Sequence, residues 1–178
     1  QGEQCANKWY FGKAGSNGGD CGLFVSKDGM SSDYDNKLPL SVVSYRELQL
    51  AAGQYECSFD GQAAGWQDSV SNVDGLYVCW VPVDVKTNSR NDNESMPDFV
   101  KKYALDFGRG STKLSQSNWN TVVDTIVSDG TPHKIVFVWC NGVNGNYPPA
   151  ACVDNILIMP VGYCSRPTDL ISEQEGND

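Results

Sequence analysis

Three aromatic residues stand outside the apolar runs, in polar, loop-like surroundings: Trp66, Tyr34 and Tyr147. Trp66 lies in Asp60-Gly61-Gln62-Ala63-Ala64-Gly65-Trp66-Gln67-Asp68, a stretch of small and polar residues. Tyr34 lies in Ser31-Ser32-Asp33-Tyr34-Asp35-Asn36, and Tyr147 directly precedes Pro148. A sugar ring offers a C–H face that packs on an exposed aromatic ring while nearby polar groups bond its hydroxyls. These three are therefore candidate ligand-binding residues. The competing reading is that Trp66 folds back and plugs one end of the core. Trp9, Trp80, Trp119 and Trp139 fall in strand-like segments and are expected inside.

Covalent and acid–base chemistry is less well served. His133 is the single histidine, beside Pro132 in a turn, with no G-x-S-x-G elbow to serve. It reads as an ordinary loop histidine. Asp60, Asp68, Asp74, Asp154 and Glu56 offer carboxylates for a glycosidase pair, but scattered acids in an acidic chain read first as solvated surface. The glycine-rich stretch from Gly15 to Gly22 lacks the Lys-Ser/Thr ending of a phosphate cradle and reads as a loop or tight turn. No catalytic residue is assigned, and the chain is expected not to be an enzyme. Asn93-Glu94-Ser95 matches the N-glycosylation pattern.

Seven cysteines, none in a CxxC pair, with one histidine, do not make a zinc set. Scattered through an acidic, β-rich chain they point to disulfides and an oxidising compartment; the alternative is burial as free thiols. The odd number leaves at least one outside any bridge within the chain. The net charge of -9 disfavours nucleic acid and a basic membrane-surface helix. Apolar runs such as Ile135 to Cys140 are too short to span a bilayer, so membrane insertion is not expected. The start at Gln1 reads as a mature or trimmed end.

The elements that must position the candidates are strands. Trp9 to Phe11, Leu23 to Val25, Val42 to Leu50, Gln54 to Phe59, Leu76 to Val83, Trp119 to Val127, Lys134 to Cys140 and Ala151 to Met159 carry the signals. In Gln54 to Phe59 alternation sets Tyr55, Cys57 and Phe59 on one face, Glu56 and Ser58 on the other. Leu76 to Val83 is apolar on both faces, as a central strand would be. Lys86 to Ser95 reads as an exposed loop, and Pro97 to Leu105 as one helical turn. The fold class predicted is all-β: an antiparallel β-sandwich of the jelly-roll kind over residues 1–162, with residues 163–178 as linker.

The run from Lys134 through Trp139-Cys140-Asn141, followed by Pro148-Pro149-Ala150-Ala151 and Val153-Asp154-Asn155-Ile156, resembles jelly-roll modules of Bacteroides-group surface proteins. Those modules are similar to MAM domains, cleaved-adhesin domains and galactose-binding-like sandwiches. Trp9-Tyr10-Phe11-Gly12, Leu23 to Ser26, Gly53-Gln54-Tyr55 and Ser58-Phe59-Asp60 fit in the same order, and Cys164 to Leu170 looks like the opening of a fibronectin type III domain. The resemblance implies an extracellular or cell-surface, non-catalytic module for carbohydrate binding or cell adhesion. Its partner would be a glycan or a host or cell-surface glycoprotein, with a neighbouring fibronectin type III domain in the full-length chain. It also implies a structural calcium, with Asp154 and Asp60 as candidate metal ligands; the alternative for Asp154 is a carboxylate bonded to backbone N–H groups. A spacer without ligand and a jelly-roll glycosidase remain the alternative functions.

Overall fold

The computed structural model describes residues 6–37, 40–65, 74–89, 96–143 and 145–162. Among these residues eight strands form: β1 (Lys8–Gly12), β2 (Gly22–Ser26), β3 (Leu40–Leu48), β4 (Gly53–Ala63), β5 (Gly75–Pro82), β6 (Gln116–Ser128), β7 (His133–Asn141) and β8 (Cys152–Pro160). Among the described residues one α-helix, α1 (Asp98–Tyr103), falls within the segment expected to make a helical turn, and a 3-10 turn spans Lys13–Gly15. Each expected strand meets one of the eight.

The strands form two antiparallel sheets, ordered β1-β2-β8-β4-β6 and β3-β7-β5. From β3 onward, consecutive strands alternate between the sheets, the jelly-roll wrap. The alternation of β4 becomes its two faces: Tyr55, Cys57 and Phe59 are buried, Glu56 is exposed and Ser58 half-buried. Phe59 sits at the centre of the interior, edge-on to Phe107 at 5.5 Å and to Phe137 at 5.6 Å.

The two-sided apolarity of β5 has a different cause from the one expected. β5 is an edge strand; β7 is the central one. The outer face of the smaller sheet is covered by a second apolar cluster, where Tyr77, Cys79, Val81, Val136, Val138 and Cys140 pack against Phe99 and Val100 of α1. The following chain also closes the edge of β5: Leu105 N–H donates to the Val78 carbonyl at 2.8 Å, and Leu114 N–H to the Leu76 carbonyl at 2.9 Å. Covering both faces and the edge leaves β5 no solvated row, so its sequence is apolar throughout.

The cysteines correct a further expectation. Cys21, Cys57, Cys79, Cys140 and Cys152 are all free thiols, and all but Cys21 are buried. Burial holds the thiols of Cys57 and Cys152 up at about 11 and that of Cys79 at about 12, and pushes Cys140 higher still. In these positions cysteine packs as a small apolar side chain, so the described cysteines do not argue for an oxidising compartment. Cys5 and Cys164 lie outside the described residues. The Gly-rich stretch is a close-packed turn: a Cβ on Gly22 would lie 1.8 Å from the Gly15 carbonyl oxygen, which only glycine permits.

Candidate functional site

Four connections gather at one end of the sandwich: those after β2, after β4, before β6 and after β7. Ala64 N–H donates to the Pro149 carbonyl at 2.8 Å and Gly65 N–H to the Tyr147 carbonyl at 3.0 Å. Gly65 must be glycine: its φ is +69°, and a Cβ there would lie 2.6 Å from the Asp74 Cβ and 3.1 Å from Trp139. The chain therefore passes tightly over Trp139 and leaves β4 against the Tyr147 segment.

Beside this junction lies a cleft of about 380 Å³ floored by Ala64 and Gly65. Its wall is Ser115, Gln116, Ser117, Asn118 and Asn120, hydroxyls and amides with no charged side chain among them. Gln116 Nε2 donates to the Gly61 carbonyl at 3.3 Å, Gln62 Nε2 to the Ser117 carbonyl, and Asn120 Nδ2 to the Asn118 carbonyl at 3.1 Å. The wall is thus tied to β4. The apolar strand signal starts only at Trp119 and does not reach Ser115 to Asn118. What marks the wall in sequence is a run of hydroxyl and amide residues entering a strand. Trp119 itself, expected in the core, is partly exposed and outside both apolar clusters.

Of the predicted ligand residues, Tyr147 is half-exposed beside this cleft's floor. Trp66 follows Gly65 in the chain and lies outside the described residues. Tyr34 is a correction. It is fully buried, edge-on to Trp139 at 5.1 Å, with no face free to stack on a sugar. Its hydroxyl donates to Asp74 Oδ2 at 3.1 Å and accepts the Tyr147 N–H at 3.2 Å. Asp74, also buried, takes the Gly142 N–H on Oδ1 at 2.6 Å. Asn146 Nδ2 donates to Asp33 Oδ1 at 2.7 Å. Tyr34 thus fixes the segment that carries Tyr147, and polar flanks disguised it as a surface ring.

Asp60 and Asp154, the predicted metal ligands, are brought together as direct cross-strand neighbours on β4 and β8. A register shift beside them, with Asn155 at φ +53°, makes the bulge that lets a polar pair sit inside an otherwise apolar strand. Like charges in this register repel. Donors surround them: Asp60 accepts from Thr121 Oγ1, from Asn155 Nδ2 at 2.8 Å and from Asn17 Nδ2 at 3.0 Å. Asp154 accepts from the Asn17 N–H at 2.7 Å and the Asn155 N–H at 2.8 Å. The Thr121 and Asn155 side chains, and less so Asn17, hold the Asp60 carboxyl below its ordinary range. Among the described residues no three His, Cys, Asp or Glu side chains gather around a metal position. The groups here are nonetheless all oxygen-bearing, two carboxylates, two amides and a hydroxyl, which is the donor chemistry of calcium.

His133 opens β7 rather than a loop; it is buried, stacked on Trp80 at 4.8 Å, with Nδ1 3.0 Å from the Thr131 carbonyl oxygen. Asp68, the Asn93 glycosylation match and the fibronectin-like opening all lie outside the described residues. Among the described residues no helix is long and apolar enough to cross a membrane.

No protein-family model matches the chain, and no curated protein matches it. Among solved structures it is similar to the module TmCBM61, determined in complex with beta-1,4-galactotriose. The two are 12% identical over 87% of this chain and 82% of that one, with a TM-score of 0.43.

Proposed function

We propose that this chain is a non-catalytic carbohydrate-binding module, and that the loop end of the sandwich is its binding face. The observation that carries the reading is the cleft wall of Ser115, Gln116, Ser117, Asn118 and Asn120, lined by neutral hydroxyls and amides, with the Arg109 guanidinium donating to Gln116 Oε1 at 3.3 Å. Neutral hydroxyls are the groups such a wall pairs with, and the chain's net charge of -9 disfavours sulfated or sialylated glycans. Tyr147 at the same end supplies an aromatic face, and Trp66, next after Gly65, is the second candidate. None of the chain's acids is assigned a role in bond cleavage. Adhesion at a cell surface, next to a fibronectin type III neighbour, is the biological setting the family resemblance implies.

Calcium belongs to the same reading as a structural ion. Asp60 and Asp154 would hold it with Thr121, and the Asn17 and Asn155 amides, which turn Nδ2 toward Asp60, would rotate to offer oxygen, the ion neutralising the facing carboxylates.

The test is a glycan array with neutral, sialylated and sulfated members, followed by calorimetry on any hit. Binding to neutral oligosaccharides is expected, weakened about five- to thirtyfold by Asn118→Ala or Trp66→Ala, each truncation removing about 1–2 kcal/mol. A blank array, or binding untouched by both substitutions, would leave the spacer reading in its place.

A further inference from the structure

At the opposite end the described residues do not close the sandwich. β2 pairs with β8 only at Leu23–Val153 and Phe24–Cys152, and among the described residues no strand pairs with β8 on that side beyond Val153. Val161 N–H donates to the Gln54 carbonyl at 2.9 Å, which fixes the parity of the β4–β8 ladder. Residues 157, 159 and 161 turn their backbone groups toward β4, so Ile156 and Ile158 present theirs to the open side. Pro160 has no N–H and ends this edge.

A groove of about 340 Å³ runs beside that edge, lined by Leu48 and Leu50, Ile135 and Phe137 of the smaller sheet, and Ile156 and Ile158. Arg46 lines it too. The inward row of β3 reads Leu40, Val42, Ser44, Arg46, and Arg46 is exposed because the facing sheet does not cover it there. Its backbone belongs to the β3–β7 ladder, but the Arg46 guanidinium has no hydrogen bond or ion pair among the described residues. The edge of β5, by contrast, is capped by Leu105 and Leu114.

We infer that this open edge and groove bind an extended peptide segment, which adds as a strand to β8, seats alternate apolar side chains in the groove and sets a carboxylate against Arg46. Backbone groups on an unpaired edge are complementary to another backbone, the apolar lining to one face of an extended chain, and a lone guanidinium to an acid. A glycan satisfies none of these three together, so the surface is separate from the loop-end cleft.

The experiment uses the full chain and a fluorescein-labelled heptapeptide that alternates valine and threonine with one central glutamate. Fluorescence anisotropy is expected to show saturable binding, weakened at least about tenfold when two backbone nitrogens of the peptide are methylated. Arg46→Glu is expected to weaken the glutamate peptide and to bind its lysine counterpart better than the parent protein does. Hydrogen exchange should show the Ile156 and Ile158 amides fast in the free chain and protected by the peptide. Equal binding of the methylated peptide overturns the inference, as does no binding at all. Amides already protected in the free monomer would assign the edge to another segment of this chain, and protection that grows with protein concentration would assign it to a second copy; either result also overturns it. None of these readouts depends on glycan binding.

Discussion

Tyr34→Phe removes one oxygen from the most interconnected point of the loop end and leaves the ring on Trp139. The Tyr34 hydroxyl joins the carboxylate of Asp74 at 3.1 Å to the Tyr147 N–H at 3.2 Å, and the ring is fully buried. Without it the Tyr147 N–H loses that acceptor and a buried carboxylate loses one donor. Removing a hydrogen bond to a buried charged group costs about 1–3 kcal/mol. Asp74 keeps the Gly142 N–H at 2.6 Å, so the middle of that range, about 2 kcal/mol, is the expected loss. For a domain of this size it corresponds to a fall in Tm of about 4–8 °C. Urea denaturation followed by tryptophan fluorescence measures it, with Tyr55→Phe as the control. The Tyr55 hydroxyl donates to the Ala51 carbonyl at 3.1 Å, in the exposed connection between β3 and β4, where water can replace it. That substitution should cost under about 1 kcal/mol. If Tyr34→Phe lies within about 0.5 kcal/mol of the parent, or loses no more than Tyr55→Phe, the hydroxyl does not hold the loop end together.

Iodoacetamide at neutral pH, read by peptide mass mapping, is expected to label exposed Cys21 quickly and to spare Cys57, Cys79, Cys140 and Cys152 until denaturant is added, because burial disfavours each thiolate. Fast native labelling of any of the four would contradict their burial. For Asp60, the folded-state pKa lies below the ordinary one, so its stabilising effect is complete above about pH 4 and drains as pH falls through the lowered value. The stability gap between the parent and Asp60→Asn, measured in calcium-free buffer, should therefore shrink from pH 6 to pH 3; a constant gap refutes the assignment. Millimolar calcium should raise the stability of the parent over chelator by about 2–3 kcal/mol if the ion is about a hundredfold above its Kd, and Asp154→Asn should abolish the rise. No shift in the parent removes calcium from the proposal.

What the sequence made legible was local. Period-two alternation at Tyr55, Cys57 and Phe59 survives into β4 because a strand's faces are set by its own dihedrals, whatever it pairs with. Strand neighbours are not local. β5 and β7 look alike in composition, yet β5 lies at an edge, because a cover assembled from α1 and from Leu105 and Leu114 does for β5 what flanking strands do for β7. Asp60 and Asp154 are far apart in the chain, one after a strand signal and one inside an apolar run. Only the β4–β8 register, with its bulge, makes them a pair.

The loop end shows why polar surroundings misled. Tyr34 and Tyr147 have equally polar neighbours in sequence, and one is fully buried while the other is half-exposed. What separates them is a hydrogen bond across 113 residues, from the Tyr147 N–H to the Tyr34 hydroxyl. A tyrosine beside aspartates can be solvated, or it can be the ring whose hydroxyl an aspartate waits for in the interior, and composition is the same in both cases. Asp74 decides between them, because a buried carboxylate must collect donors, and the Tyr34 hydroxyl and the Gly142 N–H both reach it. The cleft wall follows from the opposite condition. Ser115, Ser117 and Asn118 lie on the far side of that junction, half-buried or exposed rather than enclosed, and so keep hydrogen-bonding capacity for a partner from solution.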